Sequence, residues 1–449
     1  MISLERLNLE EYLKNFKEIN VSNEIPLIKC DLNYPIPKEI KFEEYKVKLK
    51  NHNKEIEIKR YRLIGRIDYP KERIKAKRFY KGDKNRHGLK YIIKNDKVWL
   101  VLRENWPSNN LHLRSKVFLK EDYLYFKIPR EHIGIWYNNN LSNEFVILPK
   151  YLDLKNSFWE AFGIIIGEMG KKYIAISNTA PKVINHLIDF FNDSKLINKD
   201  SWKFNLTINC RELKNVEENN ITSKQHWTEK LNIDINKIKG PTLYKQFKSN
   251  VNPNYGKIEI KFFNKSLKYV IDFLIKFVKE NVGNNFNYST AFLRGLIAAE
   301  GCPGKGSKGD NGLRTIRIAS KVLDERLFYA KVCKNIGLNA TVYEKRHNIE
   351  IFGIESFIKA LKFKLFALNE KRNQVFIERL NNLETIKALK LLKDKSLCVN
   401  EIVKKLNSKN YRNINKSFSK LFNCGILKRI NKKDVGYVYS LKDNPILSD

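Results

Sequence analysis

Paired cysteines are missing from this chain. Its six cysteines (Cys30, Cys210, Cys302, Cys333, Cys398 and Cys424) include no Cys-x-x-Cys. That excludes a zinc ribbon, a dithiol redox motif and a disulfide framework, and it predicts reduced, intracellular thiols. The seven histidines are equally dispersed, so no zinc-finger or HNH-type cluster can form from neighbours in sequence. No apolar run approaches 18 residues and no signal peptide opens the chain, which predicts a soluble protein with no membrane partner. Acidic residues are the other shortage. Lys and Arg outnumber Asp and Glu 85 to 49, giving a net charge of +36. A polyanionic partner explains such an excess directly, because each neutralised phosphate releases counterions. The abundance of Asn, Ile and Lys fits an AT-rich genome, but that bias raises lysine and glutamate together. We therefore expect a nucleic-acid-handling protein in the cytoplasm of a prokaryotic, archaeal-type cell.

What is present is a repeated nonapeptide. Ala161-Phe162-Gly163-Ile164-Ile165-Ile166-Gly167-Glu168-Met169 and Leu293-Arg294-Gly295-Leu296-Ile297-Ala298-Ala299-Glu300-Gly301 overlay position for position. Each has a small residue at its third and seventh place, bulky aliphatics between them and a glutamate at the eighth. The small pairs, Gly163/Gly167 and Gly295/Ala299, fall at i, i+4 on one helix face. Such a face lets another backbone come close, so the two segments are expected to pack as a helix pair. Glu168 and Glu300 then emerge together at the helix C-termini, where a carboxylate opposes the macrodipole. Two like charges so placed call for a cation.

These motifs, with Phe292-Leu293-Arg294-Gly295-Leu296 leading into the second, resemble the LAGLIDADG (DOD-type) family of homing endonucleases. The second copy departs from the family string only at Arg294, Ala298 and Glu300. The element order after each motif agrees. Strand Tyr173–Ser177, helix Val183–Phe191, strands Phe204–Ile208 and Lys257–Phe263 and helix Leu267–Lys279 follow the first. A glycine- and lysine-rich turn, strand Thr315–Ala319, helix Asp324–Ile336 and strands Ala340–Tyr343 and Asn348–Phe352 follow the second. Over residues 150–380 the resemblance implies an α+β fold of two pseudo-symmetric αββαββα half-domains in one monomer.

The resemblance further implies a site-specific, double-strand DNA endonuclease dependent on Mg²⁺ or Mn²⁺. Glu168 and Glu300 would be the catalytic, metal-binding residues, each serving one strand. Lys371 stands where several family enzymes carry a phosphate-supporting base, and Lys279 is the looser counterpart in the first repeat. The strands would form saddles over double-stranded DNA, with Asn178 or Ser177, Arg314 and Arg317 towards bases. Lys171, Lys172, Lys305 and Lys308 would meet the backbone, or else form solvated turns. Met169 stands where glycine is usual, and the first turn, Gly170-Lys171-Lys172, is short. The starting Cys or Ser and closing His-Asn of a splicing intein are not seen, which suggests a free-standing protein. Two other readings stay open: a DNA-binding regulator that has lost nuclease activity, and an RNA-intron maturase. Retention of both acids favours the enzyme.

The domains expected are a β-rich segment 1–150, first repeat 151–282, second repeat 283–380 and a C-terminal unit 383–445. The first segment suggests a small antiparallel sheet or barrel, from runs such as Tyr91–Ile93, Val98–Arg103, Lys116–Leu119 and Tyr123–Ile128. Its Lys75-Ala76-Lys77-Arg78-Phe79-Tyr80-Lys81 suits nucleic acid or a solvated basic edge. The two glutamates lie 300 − 168 = 132 residues apart, and the surplus is assigned to Arg211–Asn254 as an insertion or long loop. The C-terminal unit looks like a winged helix-turn-helix. Its third helix, Tyr411–Asn423, would offer Arg412, Asn415, Lys416 and Lys420 to a major groove, with a protein-binding role as the alternative.

Overall fold

The structure, a computed structural model, describes residues 89–102, 151–170, 173–209, 216–244, 254–305, 311–393, 395–432 and 436–442, together with the strand backbones 21–22, 25–29, 39–51, 54–64, 123–128, 132–138 and 143–149. The first ten strands pair antiparallel. β1 (Val21–Ser22), β2 (Ile25–Lys29), β3 (Glu39–Asn51) and β4 (Lys54–Ile64) form one sheet in that order. β5 (Leu89–Lys94) and β6 (Lys97–Leu102) form a hairpin through Asn95 and Asp96, both at positive φ, a turn matched to strand twist. β7 (Tyr123–Ile128), β8 (His132–Asn138) and β9 (Asn143–Pro149) form a third sheet. Among the described residues these strands thus fall into three separate sheets. The runs at 75–81 and 116–119 lie outside the described residues. β10 (Tyr151–Asp153) pairs with β6, so the chain is stitched across position 150.

The first repeat runs α1 (Asn156–Glu168), β11 (Ile174–Asn178), α2 (Pro181–Asp193), β12 (Lys203–Asn209), α3 (Val216–Leu231), β13 (Ile238–Tyr244), β14 (Lys257–Phe262) and α4 (Lys265–Asn281). Proline at the first turn opens α2, and Asn264 caps α4 by accepting from the Leu267 amide. The expected αββαββα order fails here. Between α1 and α2 there is one strand, because the chain from Gly170 to Ile174 is too short for a hairpin. The sheet regains four strands at its other edge, where β13 lies parallel to β12 in the order β11-β14-β12-β13. Parallel neighbours need a crossover, and α3 supplies it. Within the Arg211–Asn254 stretch, the described residues 216–244 therefore form a folded insertion. Its Trp227 is fully buried, with Nε1 donating to the Tyr255 carbonyl at 2.9 Å.

The second repeat does read αββαββα: α5 (Phe286–Glu300), β15 (Gly301–Lys305), β16 (Leu313–Ala319), α6 (Leu323–Asn335), β17 (Ala340–Tyr343), β18 (Asn348–Ile351) and α7 (Ile354–Lys362). α8 (Glu370–Asn381) follows, and the sheet order is β15-β16-β18-β17. The region after the second motif, expected as a turn, begins as strand β15. Each sheet alternates. Ile258, Ile260 and Phe262 of β14 and Ile316, Ile318, Ile349 and Ile351 of the second sheet are buried, while their neighbours in sequence take the opposite face.

A C-terminal unit completes the chain with α9 (Glu384–Lys390), β19 (Leu397–Cys398), α10 (Val399–Leu406), α11 (Tyr411–Asn423), β20 (Leu427–Lys432) and β21 (Gly436–Leu441). Its three-stranded sheet has the order β19-β21-β20, and Phe418 of α11 meets the Tyr439 ring edge-on at 5.2 Å. α9 packs on α8 and α11 lies against α7, so the unit rests on the second repeat. One buried apolar cluster runs from Val98 to Tyr439. No described helix is long and apolar enough to cross a membrane.

Candidate functional site

The two nonapeptides are the facing surfaces of α1 and α5, and the reason they can meet is the missing side chains. A Cβ on Gly163 would lie 2.2 Å from the Phe292 carbonyl oxygen, and one on Gly295 would lie 1.9 Å from that of Glu160. In the overlay of the motifs Gly163 corresponds to Gly295 and Glu160 to Phe292. The two contacts are therefore the same contact seen from either helix, as a twofold requires. Gly167 faces Ala299 and the Glu300 side chain, at 2.9 and 3.2 Å from its would-be Cβ. Above this seam Glu160 binds Arg294, Oε1 to Nε at 2.6 Å, and Glu160 Oε2 lies 3.3 Å from His186 Nε2 of α2. Burial holds the His186 pKa below its ordinary value despite the nearby Glu160 and Asp189 charges.

Glu168 and Glu300 are the last residues of α1 and α5. Both chains then leave the helix in extended conformation, Met169 at φ −71° and Gly301 at φ −78°. Met169 thus replaces the usual glycine without backbone strain. Burial first, and then the charge of Glu300, push the Glu168 pKa up from 4.5 to about 7. Arg372, Lys257 and a hydrogen bond from Asn178 act against the shift. Glu300 is also raised, by burial, with Arg372 opposing and Glu325 adding to the effect. Two partly desolvated acids side by side lack positive charge.

Arg372 is the nearest cationic support. Asn369 caps α8 by accepting from the Arg372 amide, which sets the guanidinium against the end of α5. NH1 donates to the carbonyls of Ile297, Ala298 and Ala299 at 3.0, 2.8 and 2.9 Å. Ile297 O also accepts the Gly301 amide, while Ala298 and Ala299 belong to the last turn with its unpaired carbonyls, and a cation there also offsets the dipole that disfavours Glu300.

The structure thus rearranges several expected roles. Lys371 is exposed, and its neighbour Arg372 is the half-buried one. Lys279 is exposed in the last turn of α4, whereas Lys257, at the start of β14, is the lysine whose charge acts on Glu168. Asn178, expected to face a base, is only 6% exposed. Its Nδ2 donates to Glu168 Oε1 at 3.3 Å and its Oδ1 accepts from the Ala180 amide at 2.9 Å. The alternation of β11 sends it inward with Ile174 and Ile176, so it orients the acid instead. Lys305, Arg314 and Arg317 are exposed, and the two arginines line a cavity of about 890 Å³ on the outer face of the second sheet. Lys171, Lys172 and Lys308 lie outside the described residues. In α11, Arg412, Lys416 and Lys420 are exposed and Asn415 is half-buried. Sequence reasoning missed Arg372, Lys257 and Glu160. Arg294, a departure from the family string whose partner lies 134 residues away, was the available signal for Glu160.

Residues 287–386 match the family model of the LAGLIDADG-like domain. This stretch of the chain is similar to the LAGLIDADG-like domain. The match begins in the first turn of α5 and ends within α9. Among solved structures, the chain is similar to I-DmoI in complex with DNA and Mn, at 18% identity over 47% of this chain and 98% of that one, with a TM-score of 0.25. It is similar to I-DmoI in complex with DNA and Ca at 17% identity, over 46% and 87% of the two chains, also with a TM-score of 0.25. Mesophilic variants of the homing endonuclease I-DmoI match at 16% identity over 48% and 98%, with the same TM-score. No curated protein matches the chain. Among the described residues no group of three or more His, Cys, Asp or Glu gathers as a self-sufficient metal cage. A pair of acids would need water and phosphate oxygens to complete a cation's shell, the arrangement Mg²⁺ favours.

Proposed function

We propose that the protein is a site-specific DNA endonuclease that hydrolyses one phosphodiester on each strand at the ends of the α1/α5 helix pair. The observation that carries this is Glu168, a carboxylate held up to about 7 beside a second acid from a matching helix end. Such a pair is poorly stabilised alone and well suited to a divalent cation, Mg²⁺ or Mn²⁺. Glu168 and Glu300 would hold it. When bound, the cation supplies charge neutralisation at the scissile phosphate and an acidified water.

The protein's own groups account for the rest. Asn178 fixes the Glu168 carboxylate through the 3.3 Å hydrogen bond. Arg372, anchored on three α5 carbonyls, keeps Glu300 at its helix end and adds positive charge near the phosphate. Lys257 contributes charge on the first side. The outer faces of the two sheets, with Arg314 and Arg317, would lie in the major groove of double-stranded DNA as a monomer's paired saddles. The C-terminal unit, read as a winged helix, would add backbone contacts through Arg412, Lys416 and Lys420.

The test is cleavage, with Mg²⁺, of a plasmid carrying the gene's own flanking DNA, comparing wild type with Glu168→Gln and Glu300→Gln. A double-strand cut in the wild type that becomes a nick or disappears in each variant is expected. Specific binding by the wild type without any cut would overturn the nuclease and leave a DNA-binding regulator.

A further inference from the structure

A second internal repeat lies in the sheets. The central strand of each half carries Ile-Glu-Ile: Ile258-Glu259-Ile260 in β14 and Ile349-Glu350-Ile351 in β18. The isoleucines are fully buried in the core, so each glutamate stands in the middle of the outer face. A carboxylate is unexpected there in a chain of net charge +36.

Glu350 is only 5% exposed although it lies on that face. Its Oε1 is 3.2 Å from Arg317 Nε and 3.5 Å from Arg346 NH1, and Arg346 sits over the Tyr343 ring at 5.2 Å. Glu350, Thr315 and Asn348 are among the residues lining the 890 Å³ cavity. Thr315 Oγ1 and Asn348 Oδ1 are buried without a hydrogen-bond partner, and Glu350 Oε1 has its two arginine ion pairs but no well-aligned hydrogen bond. Buried acceptors left unpartnered are costly and mark a place for a donor. A bare cation would be repelled by Arg314, Arg317 and Arg346, and a simple anion by Glu350. What fits is a group with N–H donors flanked by acceptors. A C·G base pair viewed from the major groove has that pattern: cytosine N4 is a donor and guanine O6 and N7 are acceptors.

We propose that Glu350 is a specificity-determining residue that accepts a hydrogen bond from cytosine N4, while Arg317 and Arg346 take O6 and N7 of the paired guanine. Glu259 holds the matching place in the first half. There a single lysine, Lys261 at 2.7 Å, accompanies it, and the carboxylate is more open at 31% exposure. Its selection is correspondingly weaker. The assignment rests on the DNA-binding reading above and extends it to one base pair.

The experiment is selection of bound duplexes from a randomised pool by the full-length chain in EDTA, so that cleavage plays no part. Wild type should enrich a C·G pair at one position about 10-fold or more over the alternatives, within the range of a good side-chain–base contact. Glu350→Gln should move that preference towards adenine, whose N6 and N7 match an amide, and Glu350→Ala should flatten it. The other selected positions should stay, which reports that the variants are folded. Unchanged selection in both variants, with binding retained, would overturn the assignment and leave the nuclease reading standing. A wild-type chain that binds no duplex would overturn both.

Discussion

Glu168 is expensive to keep charged in the absence of a cation. Its folded-state pKa of about 7, against an ordinary 4.5, means the folded chain holds a proton over that interval that the unfolded chain releases. The stabilising effect of that proton is complete below about 4.5 and is lost as pH rises through 7. In metal-free buffer at pH 8, Glu168→Gln should therefore raise folding stability by about 2 kcal/mol, discounted from the full shift because the group is partly exposed. The gain should vanish at pH 4.5. Urea melts of both proteins at the two pH values measure it, and equal stability at pH 8 would remove burial strain from the account. At this scale the sequence was legible where residue identity repeats. Glu168 and Glu300 announced themselves by occurring at the same place twice. Arg372 did not, because a surface lysine and a half-buried arginine are adjacent letters until Asn369 fixes the start of α8. Asn178 misled for a related reason: one step of strand register separates a base-facing side chain from one that turns inward to Glu168.

At the scale of elements, the helix pair tolerates almost nothing along its seam. Gly295→Ala would put a methyl 1.9 Å from the Glu160 carbonyl oxygen, a backbone atom that cannot swing aside. We expect a loss of about 3 kcal/mol or more, visible as a fall in Tm of several degrees or as insoluble expression. Ala299, whose equivalent is Gly167, should accept glycine with a much smaller loss. Helix positions were largely legible from apolar spacing, and α11 falls where its stripe of Ile414, Phe418 and Leu421 put it. The first sheet was not. Its topology trades the strand beside the motif for β13 on the opposite edge, and strand pairing over such separations leaves no local mark in sequence. Only the brevity of Gly170–Ile174 hinted at the trade. The N-terminal hairpin was readable as strands but not as a brace. Tyr91 donates to Glu280 at 2.6 Å and packs on Phe277, tying β5 to the end of α4.

At the scale of the molecule, charge governs how tightly DNA can be held. A net charge of +36 over the chain suits several simultaneous phosphate contacts. Duplex affinity should fall by about 10³ or more between 50 and 200 mM salt, the loss expected for six or more neutralised phosphates. Anisotropy titrations across that range measure the slope, and a flat dependence would argue that the basic surface faces solvent.

The Glu160–Arg294 bridge has a last consequence, for the choice of mate. Under the twofold that relates the motifs, Glu160 overlays Phe292 and Arg294 overlays Phe162. Two copies of the second half would set each half-buried Arg294 against a phenylalanine, and two copies of the first would do the same to Glu160. Either pairing strands a charge away from water, which is costly, whereas the unlike pairing joins the two at 2.6 Å. The seam of small residues is blind to which half it meets, and one charged pair above it gives the halves a reason to prefer each other.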